Sequence, residues 1–312
     1  MPQFPNTAVA TGVWDFKDLR TSLLGDNWPA LTITSGGFQG TVSGYTSGGE
    51  TTNVIDKFSF AADGNASDVG DLTVARFGLA GQSSKVSGYS SGSFPVTTII
   101  DKFPFAADGN ASDVGDLTVA RGFITGQSST VSGYTVSGYL TDNTIDKFPF
   151  AADGNATDVG DLTQGRYGTA GQSSTESGYT SGGQTPSIVN IIDKFPFASN
   201  TNASDVGDLT VVRTRATGQS STSSGYTSGG NPGPVNTIDK FPFAADGNAS
   251  DVGDLTLGRY GLAGQSSTAS GYASGGFPNT NIIDKFPFAA NANATDVGDL
   301  TVARRFTAGQ QV

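Results

Sequence analysis

The 312-residue chain has no cysteine and no histidine, and its one methionine is Met1. Without cysteine there is no disulfide, no thiolate nucleophile and no thiolate metal site. Without histidine, the commonest general base and the commonest metal ligand are also missing. No apolar stretch approaches the roughly 20 residues that a membrane-spanning helix needs, so no membrane insertion is predicted. The opening residues MPQFPNTAVATGVW have neither the basic start nor the apolar run of a secretory signal. Positive charge is sparse: 17 Lys and Arg stand against 28 Asp and Glu, a net charge of −11. With no cationic cluster to neutralise phosphates, nucleic acid is excluded as a partner.

What the chain does contain is repetition. The string DKF-x-F begins at Asp56, Asp101, Asp146, Asp193, Asp239 and Asp284, at spacings of 45, 45, 47, 46 and 45 residues. Each copy is followed by N-A-[ST]-D-V-G-D-L-T, then an Arg (Arg76, Arg121, Arg166, Arg213, Arg259, Arg304) and a G-Q pair, and a Gly-Tyr precedes each copy. A period of this length holds four short strands, as a propeller blade does. In the third module the strands are expected at 126–131, 133–139, 143–150 and 157–164. Phe148 and Phe150 share one face of the third, and Pro149 marks a bulge or strand end. The C-terminal 306–312 reads as a first strand without a second, while 43–49 reads as a second strand whose own first strand, 36–41, is degenerate. The two complement each other, so the C-terminal strand is expected to close a ring and leave no sheet edge. The fold class is therefore all-β: a six-bladed β-propeller over 36–312, preceded by a segment, 1–35, outside the repeat. The order G-Y-T-S-G-G, D-K-F, D-L-T-x-x-R resembles the kelch repeat from residue 43 to 312, with Val159 or Leu162 where kelch has Trp.

The repeat carries most of the charge. Twelve of the 17 cations and 22 of the 28 acids occupy template positions, which points to ion pairs holding blades together rather than to a site. Asp108-Gly109-Asn110-Ala111-Ser112-Asp113 spaces oxygen side chains as a calcium loop does, but Asp113 stands where such a loop has Gly and Val119 where it has Glu. Asn200 and Asn291 replace the first Asp in two modules, so a hydrogen-bonded turn is the preferred reading over a metal. No catalytic residue, metal or cofactor is predicted. An active site should depart from a template, and Glu50, Asp142 and Glu176, the non-template acids of the propeller, fall on different blades, where they are expected to be exposed. The chain is thus not expected to be an enzyme.

Variation concentrates in the loops between second and third strands and in the position after the template Arg, which is Phe77, Gly122, Tyr167, Thr214, Tyr260 and Arg305 in turn. Loops on a rigid scaffold are where recognition resides. Phe94, Tyr139 and Phe277 are the candidate binding residues, expected as exposed aromatics on one face and suited to stacking on a sugar or packing on a protein. In the N-terminal segment, Trp14, Phe16, Leu19 and Trp28 are the candidate attachment residues, some of them on a short helix. Its G-V-W-x-F…N-W-P pattern resembles a segment of tailed-bacteriophage structural and tail proteins. That resemblance implies a virion protein: the N-terminal segment would bind other virion proteins and the loops a host glycan or surface protein. The alternative is a bacterial kelch-like module, extracellular or cytoplasmic, that binds carbohydrate or protein.

Overall fold

A computed structural model describes residues 39–139 and 142–312. The predicted N-terminal helix, the division at residue 35 and the residues Trp14, Phe16, Leu19 and Trp28 lie outside them. The described strands form six antiparallel four-stranded sheets, five of them with their strands in sequential order. In the second blade the inner strand is Ala80–Ser83, followed outward by Ser87–Ser93, Thr97–Pro104 and Ser112–Arg121. Inner strands run from one face, here called upper, to the other. The variable loops and the segments carrying the template Arg therefore lie on the upper face. The first blade is the composite that the sequence predicts: Ala308–Gln311 pairs with Ser43–Ser47, ahead of Val54–Ser59 and Ser67–Asp71.

Strand ends in the third blade differ from expectation. They are Thr125–Ser128, Ser132–Gly138, Asp142–Pro149 and Thr157–Asp161. The first strand stops three residues short because Ser129 makes a turn: its NH donates to the Ser132 carbonyl and its hydroxyl accepts from the Ser132 NH. Residues 39–40 are not a vestigial first strand. Gly40 bridges Ser267 of the sixth blade in parallel fashion, while the Val312 carbonyl accepts from the NH groups of Thr41, Val42 and Ser43.

The repeated Tyr, Phe, Asp, Thr, Arg and Gln positions act between blades. The Tyr of each blade packs on both phenylalanines of the next: Tyr89 meets Phe148 and Phe150 at centroid distances of 5.4 and 5.0 Å, and Tyr272 closes the ring against Phe58 and Phe60. This apolar seal is the core, since isolated sheets bury nothing on their own. The Asp of DKF is fully buried. Asp101 accepts from the backbone NH and hydroxyl of Thr73 in the preceding blade and pairs with Arg76 at 3.0 Å. D-L-T-x-x-R is thus a clamp on the neighbouring blade. Burial pushes the guanidinium pKa of Arg76, Arg166, Arg213, Arg259 and Arg304 down, while the facing aspartates oppose it.

The G-Q pair builds the axis. Each buried Gln reaches across to the next blade: Gln172 Nε2 donates to the Tyr226 carbonyl at 3.0 Å, and Gln310 closes the circle on Tyr89. The preceding glycines stand in a ring so tight that a Cβ on Gly81 would lie within 2.2 Å of the Gly309 carbonyl oxygen, and one on Gly126 within 2.2 Å of that of Gly81. No side chain fits there. The axial spaces on either side of this ring have volumes of about 90 and 50 Å³, room for a few waters.

Candidate functional site

The sixfold template breaks at the upper end of the axis. After each template Arg come two residues, in order Phe77-Gly78, Gly122-Phe123, Tyr167-Gly168, Thr214-Arg215, Tyr260-Gly261 and Arg305-Phe306. The second members form a closed circle of backbone hydrogen bonds around the axis, each NH donating to the carbonyl of its neighbour. Phe123 donates to Gly78 at 2.8 Å, Gly168 to Phe123 at 2.7 Å and so on to Phe306, which donates to Gly261 at 2.6 Å. All six adopt left-handed backbone angles, with φ between 55° and 70°. Glycine takes that conformation freely, whereas a bulky residue bears a cost of order 1 kcal/mol.

Glycine and bulk alternate around this circle for a steric reason. A Cβ on Gly261 would come within 2.7 Å of the Phe306 ring, and one on Gly78 within 3.1 Å of the Phe123 backbone nitrogen. The axis has space for three side chains, supplied by Phe123, Arg215 and Phe306. The rings of Phe123 and Phe306 meet edge-on with centroids 5.4 Å apart. The Arg215 guanidinium lies 5.7 Å from each of those centroids and 5.9 Å from that of Tyr260, within cation–π range. Together they roof a cavity of about 50 Å³.

Around this centre the first members and the loop residues form a second tier. Phe77 contacts Phe94, Phe123 and Phe306; Phe94 and Tyr167 both contact Tyr139; Tyr260 contacts Phe277. All three predicted binding residues therefore lie in one aromatic network on one face. Tyr139 is 41% exposed. Phe94 and Phe277 are half-buried rather than exposed, because each lies against the residue that follows the template Arg, Phe77 and Tyr260. On the segments that precede the template Arg, Val74, Val119, Val211, Leu257 and Val302 are exposed.

Four non-template charges, Arg215, Arg305, Glu50 and Asp142, also lie on this face. Arg305 pairs with Glu50 at 2.8 Å and lies 5.0 Å from the Phe277 centroid. Asp142 pairs with Arg121 at 3.0 Å. Glu50 and Asp142, expected to be exposed, are half-buried and paired; Glu176 is exposed. Among the described residues no carboxylate or hydrogen-bond acceptor reaches the Arg215 guanidinium, and its buried Nε has no partner. Comparison of the modules could have revealed this centre. The first varying position after the Arg is conspicuous, but the alternation emerges only when the second is read with it.

The calcium-like turns have other work. Asp108 pairs with Lys57 at 2.9 Å, Asn110 Oδ1 accepts from the Asp71 NH of the preceding blade, and Asp113 accepts from the Gly115 NH. Four such Lys–Asp pairs recur, at Lys57, Lys102, Lys194 and Lys285. Asn200 and Asn291 replace the Asp that would face Lys147 and Lys240, and neither lysine forms an ion pair among the described residues. Among the described residues no group of three or more His, Cys, Asp or Glu side chains is placed to hold a metal.

No protein-family model matches the chain, and no curated protein matches it in sequence.

Proposed function

We propose that the chain is a non-enzymatic recognition protein that presents a ligand-binding surface at the upper end of its propeller axis and is carried in a bacteriophage particle by its N-terminal segment. The observation that carries the binding half is the gathering of aromatic and arginine departures from the template at one end of the axis. Template acids are spent on clamps, turns and lysine pairs, while Phe123, Arg215 and Arg305 lie 5.4, 5.7 and 5.4 Å from the ring of Phe306 at the axis. A half-exposed group of aromatic rings on a rigid scaffold is suited to stacking against a sugar or packing against a protein. The particle half is supported by the resemblance of the G-V-W-x-F…N-W-P segment to phage structural proteins, and the resemblance of the repeat to kelch modules agrees with a binding role.

Binding of the purified protein to arrays of glycans and of bacterial surface proteins tests the first half. Tyr139→Ala should reduce any signal about tenfold, on the scale of a lost aromatic anchor, and Glu176→Ala, on the turn at the opposite face, should leave it unchanged. The reverse pattern would place the site on the other face. For the second half, particles assembled with a chain lacking residues 1–35 should be devoid of it by mass spectrometry. Normal incorporation would favour a free bacterial binding module instead.

A further inference from the structure

We propose that the axial site takes an acidic sugar, with Arg215 receiving its carboxylate and the surrounding rings its pyranose face. The proposal rests on the reading of the upper face as a binding surface and names its ligand class. In a protein of net charge −11, the centre of that surface is a cation. Five of the 17 cations lie outside the template; Arg305 already has Glu50 as its partner at 2.8 Å, and Arg215 has none among the described residues.

Arg215 is also the residue that breaks the pattern of its own circle. Three positions are glycine and two are phenylalanine; the sixth is an arginine held at φ 58°. Left-handed backbone at a non-glycine residue persists where the surroundings impose it, and such positions cluster at ligand sites. A guanidinium is planar and presents a fork of donors that matches a carboxylate. Held between Phe123, Phe306 and Tyr260, it is oriented in advance, which lowers the entropy lost when it binds.

The shape favours a sugar over an acidic peptide. A protein anchor needs a pocket to bury a side chain, and the cavity directly beneath Phe123, Arg215 and Phe306 holds about 50 Å³. A shallow platform of ring faces beside one cation instead fits a flat pyranose that carries a carboxylate at its edge.

Arg215→Gly provides a clean test, because glycine already occupies Gly78, Gly168 and Gly261 of the same circle at φ 65–70°, so folding is expected to survive. Wild type and variant would be titrated with oligogalacturonate, with neutral maltohexaose and with oligoglutamate by calorimetry, at two salt concentrations, and a sialylated, ulosonic-acid and neutral glycan array would be run in parallel. Expected is a preference for the carboxylated sugars on the titration or the array. That preference should weaken with salt and fall at least about tenfold in Arg215→Gly, with the melting temperature unchanged or raised. Glycan binding without preference for acids, or an acid preference that Arg215→Gly leaves intact, would overturn this inference and leave the binding face standing. Binding of oligoglutamate alone would replace the sugar by an acidic peptide. No binding to any glycan or surface protein would remove both readings.

Discussion

Two kinds of residue hold this ring together, and they fail in different ways. The axial glycines work by having no side chain. In Gly126→Ala the new Cβ would press on the Gly81 carbonyl, within 2.2 Å, and on the Gln82 amide at 2.9 Å. The carbonyl is held by strand pairing and the amide by hydrogen bonds to Ser91, Tyr134 and Thr135, so relief requires a shift between blades. Overpacking of this kind costs about 3 kcal/mol, and urea unfolding should show it as a lower midpoint with an unchanged slope. The buried aspartates work by what they accept. Asp193 takes the Thr163 NH and hydroxyl and pairs with Arg166 at 3.2 Å, with both side chains fully buried. In Asp193→Ala the guanidinium would remain buried without its counter-charge, which costs about 3–5 kcal/mol. If the same measurement gave a loss below about 1 kcal/mol, water would have to reach Arg166.

At the scale of the strand, the decisive element is the last one. Ala308–Gln311 completes the first blade, and through Gln310 it also hydrogen-bonds the Tyr89 carbonyl of the second. Truncation after Thr307 would strip the partner from Ser43–Ser47 and leave an unpaired edge, which invites pairing with another chain. The truncated protein should therefore elute from a sizing column as dimers and larger species, with a lower melting temperature. A stable monomer would mean that the blade interfaces alone keep the ring closed. Much of this element was legible in the sequence, because G-Q at 309–310 repeats the pair at 81–82, 126–127 and the other blades. Strand ends were less so. The first strand stops at Ser128 because Ser129 diverts its own hydroxyl and NH into a turn, and alternation of side chains carries no sign of that competition.

For the whole molecule, repetition turns one contact into six, so pH acts on all interfaces together. Burial raises the phenol pKa of Tyr45, Tyr89, Tyr179, Tyr226 and Tyr272 above 10.0, and pushes that of Tyr134 up to about 12. Hydrogen bonds to aspartate raise Lys57, Lys102, Lys194 and Lys285. A group that holds its proton more tightly when folded contributes fully below its unfolded pKa and loses that contribution as pH climbs through the folded value. The window therefore opens above pH 10. The lowered arginines act in the opposite sense, toward the top of that range. Unfolding should be a single cooperative step above pH 10, with phenolate absorbance from these six tyrosines appearing together with the loss of near-ultraviolet dichroism. Gradual ionisation of these residues in the folded state would show the interfaces to be wet.

The sequence by itself determined the architecture: six copies of one period set the number of blades, and the matching fragments at 43–49 and 306–312 set the closure. It also determined that the repeated charges are structural, because a residue present in every module must serve every interface. The tertiary structure alone decided where the asymmetry meets. Phe123, Arg215 and Phe306 are roughly 90 residues apart in sequence, and nothing along the chain says that they share a space with room for three side chains. Closing the ring brings alternate blades face to face across the axis, and that geometry places one guanidinium among the rings.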